Sequence, residues 1–142
     1  MNLTSYLLLG VILLVIGFLS TRSKKTHIEI FVDVSGSMAM FDIKTMLLEF
    51  LSAIRQDTTI TFRTFAGTVT TEQQFADAQA AYASIEGGSL KFETGGHTDF
   101  NCVAQSLQNV KYDYACVLTD TPEECAATLR DLPRVNIHNC NT

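Results

Sequence analysis

The hydrophobic pattern of residues 27–138 switches repeatedly between the period of a β-strand and the period of an α-helix. The segment His27–Asp33 (HIEIFVD) is rich in β-branched and aromatic residues and predicts a strand. Residues 43–55 carry apolar side chains at helical spacing, which predicts an amphipathic helix. Because strand and helix signals alternate along the chain, the pattern predicts an α/β fold: a doubly wound, mostly parallel sheet with helices on both faces.

The later segments continue this alternation and are bounded by capping and turn signals. Thr121, Pro122 and Glu124 combine a capping box with proline at the first helical position, which predicts a helix start. Either Thr98 or Asp99 is predicted to cap the start of another helix, which runs to about residue 109. Together the signals predict strands over 58–65, 68–71, 112–119 and 135–138, helices over 75–85, from the cap to about 109 and from 121 to about 132, and a short strand or extended loop over 90–92.

Chain length and charge limit the number of domains and the classes of partner. A chain of 142 residues that is 46% hydrophobic can bury one core but not two, so residues 27–142 are predicted to form one domain. The formal net charge is −5, and the sequence has no basic patch to neutralise phosphates. We therefore expect neither nucleic acid nor an anionic lipid surface as a partner.

The most apolar part of the chain is its N-terminus, where residues 6–19 (YLLLGVILLVIGFL) contain no charged side chain. With its neighbours this run extends over 3–20, close to the ~18–20 residues that span a bilayer. We therefore predict a transmembrane helix as a membrane anchor within 1–20 and a polar linker over 21–26. A cleavable signal peptide is the alternative, but no basic residue precedes the run and a poor cleavage site follows it.

The charges around this run predict its orientation. Arg22, Lys24 and Lys25 follow it directly, whereas the N-terminal side carries only its α-amino group. By the positive-inside rule, we expect a single-pass membrane protein with the C-terminal domain on the cytoplasmic side.

The four cysteines give no sign of a zinc site or a redox motif. They form no C-x-x-C pair, and no Cys/His spacing matches zinc ligation. Cys102 and Cys116 lie in helical and apolar patterns, which favours positions in the core. In the cytoplasm all four would be reduced, whereas the opposite orientation would allow disulfides whose pairing the sequence does not specify.

Oxygen-bearing side chains occur in the loops expected at one edge of the sheet. Asp33, Ser35 and Ser37 follow the first strand, and on an extended turn this spacing places the three side chains on one side. Thr98 precedes a helix, and Asp120 follows a buried strand. Ligand sites in such sheets lie beyond the carboxyl ends of the strands, and Mg²⁺ prefers oxygen ligands at about 2.0–2.1 Å. The sequence therefore predicts a cation site at this edge.

Each loop also has an ordinary structural interpretation. Asp33 can simply end a strand, with Ser37 or Asp42 capping the next helix. The pair at 98–99 is a common helix N-cap, and the third loop fits a turn. The metal hypothesis depends on the three loops occurring in order, each after the appropriate element, at one end of one sheet.

Three motifs carry these residues: DVSGSM at 33–38, GGHTDF at 95–100 and LTD at 118–120. Together they resemble the metal-ion-dependent adhesion site of von Willebrand factor A (vWA) domains, and the second motif is closest to a bacterial and phage branch known as VWA-like or metallopeptidase-like. The resemblance covers about residues 27–138 and implies a vWA (Rossmann-like) fold. It also implies a divalent cation, Mg²⁺ or else Mn²⁺ or Ca²⁺, completed by an Asp or Glu of a partner protein. The implied metal ligands are Asp33, Ser35, Ser37, Thr98 and Asp120.

The chain departs from the family pattern in two loops and at its end. His97 stands where the related branch often has glycine, and Thr121-Pro122 follows Asp120 where glycine is usual. The sequence ends about four residues after the last predicted strand, so the C-terminal helix of many family members is expected to be absent. Because that helix carries the affinity switch in signalling members, switching is not expected here.

Two alternatives to a non-enzymatic binding module remain open. A metal-dependent hydrolase would need a general base beside a metal-bound water, and the sequence has no H-E-x-x-H motif. A structural membrane protein of a virus or phage would use the domain only for packing in an assembly. The acidic candidates for a base near the loops are Glu93, Asp99, Glu123 and Glu124.

Overall fold

A computed structural model describes residues 25–125 and 127–141. The strands are β1 (His27–Asp33), β2 (Thr59–Phe65), β3 (Val69–Phe75), β4 (Tyr114–Thr119) and β5 (Val135–Asn139). The helices are α1 (Ile43–Ser52), α2 (Ala78–Glu86), α3 (Phe100–Gln108) and α4 (Ala127–Arg130), and two 3-10 helices cover Gly36–Met40 and Pro122–Glu124.

The strands of the described residues form one five-stranded sheet in the order β3-β2-β1-β4-β5. β1 lies at the centre and pairs in parallel with β2 and with β4. β5 is parallel to β4, and β3 alone is antiparallel, beside β2. The predicted α/β fold with a mostly parallel sheet is therefore confirmed.

Alternate residues of β1 point to opposite faces of the sheet, and each face has its own hydrophobic core. Ile30 and Val32 pack with α1 and α2 on one face, whereas Phe31 packs with α3 and α4 on the other. All three side chains are fully buried, as expected for a parallel strand covered on both faces. Cys116 and Cys102, which were predicted to lie in the core, are partly buried at the margin of the first and the second core respectively, whereas Cys125 and Cys140 are buried.

Two predicted boundaries on either side of residue 75 are wrong. The antiparallel strand covers Val69–Phe75 rather than 68–71, because it pairs with β2 along its whole length. Helix α2 therefore begins only at Ala78. Its cap is Asp77, whose carboxylate accepts a hydrogen bond from the Ala80 backbone N–H at 2.7 Å.

The long helix predicted from 121 to about 132 is also wrong. The chain forms a 3-10 helix over Pro122–Glu124, without a side-chain capping bond from Thr121, and then the short helix α4. The Arg130 guanidinium donates a hydrogen bond to the Pro122 carbonyl oxygen. The same carbonyl also accepts a hydrogen bond from the Cys125 backbone N–H at 3.2 Å, which closes the 3-10 turn, and the backbone of Cys125 is then extended.

The predicted membrane anchor within 1–20 and the linker up to residue 24 lie outside the described residues. Among the residues that are described, no helix is long and apolar enough to cross a bilayer. The described chain begins at Lys25, directly before the amino end of β1.

Leu47 of α1 offers a test of the first core, because its side chain is fully buried there. We expect Leu47→Ala to lower the free energy of unfolding by about 2–5 kcal/mol, since it removes buried methyl groups and leaves a cavity. Met40 is 80% exposed, so Met40→Ala is the matched control and should change stability by less than about 0.5 kcal/mol. Urea unfolding of both variants measures the difference, and equal effects would contradict this description of the core.

Candidate metal centre

The carboxylate of Asp33 lies at the carboxyl end of the central strand and is fully buried. Its Oδ1 accepts a hydrogen bond from the Ser35 backbone N–H at 2.8 Å. Its Oδ2 accepts one from the Thr119 hydroxyl at 2.7 Å and a longer one from the Thr98 hydroxyl at 3.4 Å. One carboxylate therefore connects the three loops that the sequence singled out.

The first loop brings two hydroxyl groups beside Asp33. Ser35 is buried and extended (φ −60°, ψ 167°), and its Oγ lies 3.4 Å from the Oγ of the exposed Ser37. The expectation of an extended turn through all three positions is wrong, because a 3-10 helix begins at Gly36. Asp42 caps α1 by accepting from the Thr45 backbone N–H at 3.1 Å, so Ser37 is not needed as that cap.

The second loop is held against the first by two backbone hydrogen bonds. The Gly95 N–H donates to the Val34 carbonyl and the Gly36 N–H donates to the Gly96 carbonyl, both at 2.9 Å. Gly96 has a φ of +76°, a conformation that favours glycine. This reversal of the chain lets its carbonyl oxygen face the first loop.

Thr98 and Asp99 have separate roles at the start of α3. Asp99 is the cap, since its Oδ1 accepts from the Asn101 backbone N–H at 2.9 Å. Its own backbone N–H donates to the Ala66 carbonyl at 2.8 Å, which fixes the loop to the β2–β3 turn. The Thr98 side chain does not cap the helix, and its hydroxyl instead donates a hydrogen bond to Asp33.

The third loop supplies the second carboxylate. Asp120 follows the fully buried Thr119, and its backbone carbonyl accepts from the Asn141 side chain at 2.7 Å. Its Oδ1 is buried and has no hydrogen-bond partner among the described residues. A buried carboxylate oxygen without a partner is costly, and a bound cation is one group that would satisfy it. On this observation the residues present fit a divalent cation.

Two cysteine thiols adjoin this edge of the sheet. Burial raises the pKa of the Cys140 thiol to about 11, and the negative charges of Asp120 and Asp33 add to the effect. Burial likewise raises the pKa of Cys102 to about 11, with further contributions from Asp99 and Asp33. Both thiols are therefore protonated at neutral pH, and the charged donors of this edge are oxygen atoms.

The donor set is rich in hydroxyl groups and contains two carboxylates. Among residues 25–125 and 127–141, no cluster of three or more His, Cys, Asp or Glu side chains is positioned to hold a metal ion. Hydroxyl and carboxylate oxygens suit hard cations such as Mg²⁺, Mn²⁺ or Ca²⁺. His97 is exposed, and the hydrogen bonds of the Asp33 carboxylate among the described residues do not include it. The predicted residues that could hold a cation are Asp33, Ser35, Ser37, Thr98 and Asp120.

Thr119 is a site residue that the sequence reasoning missed. Its hydroxyl makes the shortest side-chain hydrogen bond to Asp33, and it also accepts from the Thr121 backbone N–H at 3.2 Å. The signal that could have found it is the parallel pairing of two apolar strands. That pairing places Leu118 beside Val32, so the residues that follow them, Thr119 and Asp33, lie next to each other. That register is not visible in either strand alone.

The conformation of Gly96 generates a prediction about the second loop. We expect Gly96→Ala to lower the free energy of unfolding by about 1–2 kcal/mol, because an L-residue is strained at a φ of +76°. Gly95→Ala is the matched control, since an added Cβ there meets no atom within 4 Å and its φ lies outside the left-handed region. Urea unfolding distinguishes the two, and equal stability of both variants would contradict the assigned conformation.

Comparison with known proteins identifies the fold. No protein-family model matches the chain, and no curated protein matches it. Among solved structures, proximal thread matrix protein 1 from the mussel byssus shares 19% identity over 81% of this chain, with a TM-score of 0.55. An aerotolerance-related membrane protein from Bacteroides fragilis, carrying multiple mutations to serine, shares 16% identity over 80% of this chain, with a TM-score of 0.55. The conserved hypothetical protein BatB from Bacteroides thetaiotaomicron shares 16% identity over 80%, with a TM-score of 0.53.

These similarities concern the fold and only part of each neighbour. This chain spans 35% of the mussel protein, 67% of the Bacteroides fragilis protein and 65% of BatB. At such low identity a structural match carries information on architecture alone. The described residues have a vWA-like fold.

Proposed function

We propose that the chain is a membrane-anchored vWA-like module that binds a divalent cation and, through it, an acidic residue of a partner protein. The observation that supports this most directly is the unpartnered, buried Oδ1 of Asp120 at the edge where Asp33 is buried. The cation would be held by Asp33, Ser35, Ser37, Thr98 and Asp120.

The residues of the site favour recognition of a carboxylate. The two carboxylates formally balance the charge of a divalent cation, and the three neutral hydroxyls add no further negative charge, so an open coordination position would still accept a carboxylate oxygen from a partner. The chain has a net charge of −5 and would not attract an acidic partner by its overall field. The hydroxyls and the two carboxylates would orient the cation, and the buried position of Asp33 limits competition from water.

We propose binding rather than catalysis because the acidic side chains near the loops are poorly suited to act as a general base. Asp99 is engaged as the cap of α3. Glu93, Glu123 and Glu124 are exposed to solvent, so none of them is held by packing in a fixed position beside the three loops. Peptide cleavage that requires Mn²⁺ and is lost in Asp33→Asn would favour the hydrolase instead.

An N-terminal anchor would set the orientation of the site. The described chain begins next to the amino end of β1, whereas Asp33 ends the same seven-residue strand. At about 3.3 Å per residue, these two ends are on the order of 20 Å apart. The proposed site would therefore face away from the bilayer, towards a partner in the cytoplasm or on another surface.

Metal binding is tested by the thermal stability of the full chain in a mild detergent. We expect Mg²⁺, Mn²⁺ or Ca²⁺ to raise the melting temperature relative to EDTA, because a ligand that binds only the folded state adds about 2.7 kcal/mol at 100 times its Kd. The increase should disappear in Asp33→Asn and shrink in Asp120→Asn.

Asp57→Asn is the matched control for this measurement. Asp57 is an exposed carboxylate in the loop before β2, at the opposite edge of the sheet, so its variant should keep the full metal-dependent increase. The proposal is wrong if none of the three cations stabilises the wild type, or if Asp33→Asn responds like Asp57→Asn.

The topology is tested with a reporter fused after Thr142. We expect the reporter to lie on the cytoplasmic side, because Arg22, Lys24 and Lys25 follow the apolar run. Replacing these three residues by glutamine is expected to weaken that preference. A reporter found outside the cytoplasm in the wild type would overturn the orientation.

A further inference from the structure

The segment from Leu90 to Thr94 starts at a bend and then alternates in exposure as a strand does, although it pairs with no strand among the described residues. Residues 90–92, which the sequence predicted as a short strand or an extended loop, form no strand. Exposure nevertheless alternates at each step: Leu90, Phe92 and Thr94 are half-buried, whereas Lys91 and Glu93 are exposed. The Phe92 ring packs edge-on against Phe62, with 6.0 Å between the ring centroids. This two-residue period is that of an extended strand.

The main chain of this segment is not hydrogen-bonded within the described part of the protein. The flanking backbone bonds run from the Ser89 N–H to the Ser84 carbonyl and from the Gly95 N–H to the Val34 carbonyl. Between them, the backbone groups of Lys91 to Thr94 make no bond to any described residue. An extended segment with free N–H and C=O groups is a template for pairing with another strand.

A polar cleft of about 540 Å³ lies beside this segment. Its opposite wall is the top of the β2–β3 hairpin, where the Thr64 and Thr70 hydroxyls are hydrogen-bonded at 2.9 Å. Val34 and Gly95 also line the cleft, and they belong to the two loops joined beside Asp33. The cleft therefore leads from the unpaired segment towards the proposed metal centre.

We infer that this cleft receives an extended segment of the partner, which pairs as an added strand with the main chain of Lys91 to Thr94 and presents its acidic residue to the metal. This inference rests on the proposed function and identifies the form of the partner. Main-chain pairing needs an extended peptide, since a helix bonds its backbone groups internally. Gly95 follows Thr94 directly, so the acidic residue lies at the Gly95 end of the added strand.

The exposed side chains of the segment would also favour particular charges on the partner strand. Lys91 and Glu93 line the cleft and carry opposite charges two residues apart. Cross-strand neighbours of opposite charge stabilise a pair of strands, and like charges oppose it. A partner strand with an acidic residue opposite Lys91 and without one opposite Glu93 is therefore favoured.

The test measures binding of a defined peptide to the full chain in Mg²⁺. The probe is the fluorescent heptapeptide Thr-Val-Thr-Asp-Thr-Val-Thr, which favours extended structure and carries one carboxylate side chain. Two analogues are N-methylated at alternate residues, so that each blocks one edge of the peptide strand. We expect one analogue to bind at least tenfold more weakly and the other to bind like the parent, because an added strand pairs along one edge only.

A variant of the cleft wall locates the peptide. Thr68 is exposed and lines the cleft, so Thr68→Trp should weaken peptide binding at least tenfold while leaving the metal-dependent rise in melting temperature unchanged. Ser52→Trp is the control, because Ser52 is an exposed residue at the end of α1 and outside the cleft.

The outcomes separate the two proposals. Strand addition is overturned if both analogues bind as tightly as the parent, if Thr68→Trp has no effect, or if the parent fails to bind while Mg²⁺ still stabilises the chain. In each of those cases the metal site itself survives. Failure of the metal site is shown independently, by the absence of any cation-dependent stabilisation.

Discussion

The buried carboxylate of Asp33 is the feature on which the arrangement of the three loops depends. A carboxylate removed from water is destabilising unless donors surround it. Here one backbone N–H and two hydroxyls, from three separate segments, take that role. Each loop is therefore held in place by the same charge, and the position of β1 at the centre of the sheet brings all three within its reach.

β1 carries a second buried carboxylate, and the contrast between the two is informative. Glu29 forms an ion pair with the buried guanidinium of Arg63, and His27 lies 3.5 Å away. Burial still raises the pKa of Glu29 above its ordinary value, although Arg63 opposes the shift. Asp33, on the same strand, has only neutral donors and no ion pair among the described residues. The charge of Glu29 is thus balanced within the protein by Arg63, and the cation proposed above would supply the corresponding charge for Asp33.

Most of the fold could be predicted from the sequence because the periodicities of β1, α1 and β4 are local properties. The errors occurred where tertiary contacts decide the outcome. β3 extends to Phe75 because it pairs with β2, and the chain leaves helical geometry at Cys125, where the Arg130 side chain donates to the carbonyl oxygens of Cys125 and Pro122. Thr119 was missed for the same reason, since its bond to Asp33 depends on the register between β1 and β4. Local sequence contains the residue types of a site, but not the alignment that brings them together.

The ambiguity over residues 90–92 has a physical origin of the same kind. A strand is defined by its pairing with another strand. Residues 90–92 alternate as a strand does but pair with none of the described residues, so they fit neither a strand nor an ordinary loop completely. The Phe92 ring packs against Phe62, and the hydrogen bond from Gly95 to Val34 fixes the end of the segment beside the loops around Asp33. Packing thus positions the segment, while the backbone N–H and C=O groups of Lys91 to Thr94 make no hydrogen bond to any described residue. If a partner peptide supplies those hydrogen bonds, its backbone would pair with the segment and its acidic side chain would reach the proposed cation in the same binding event. The two contacts are linked because the segment ends at Gly95, beside the loops around Asp33.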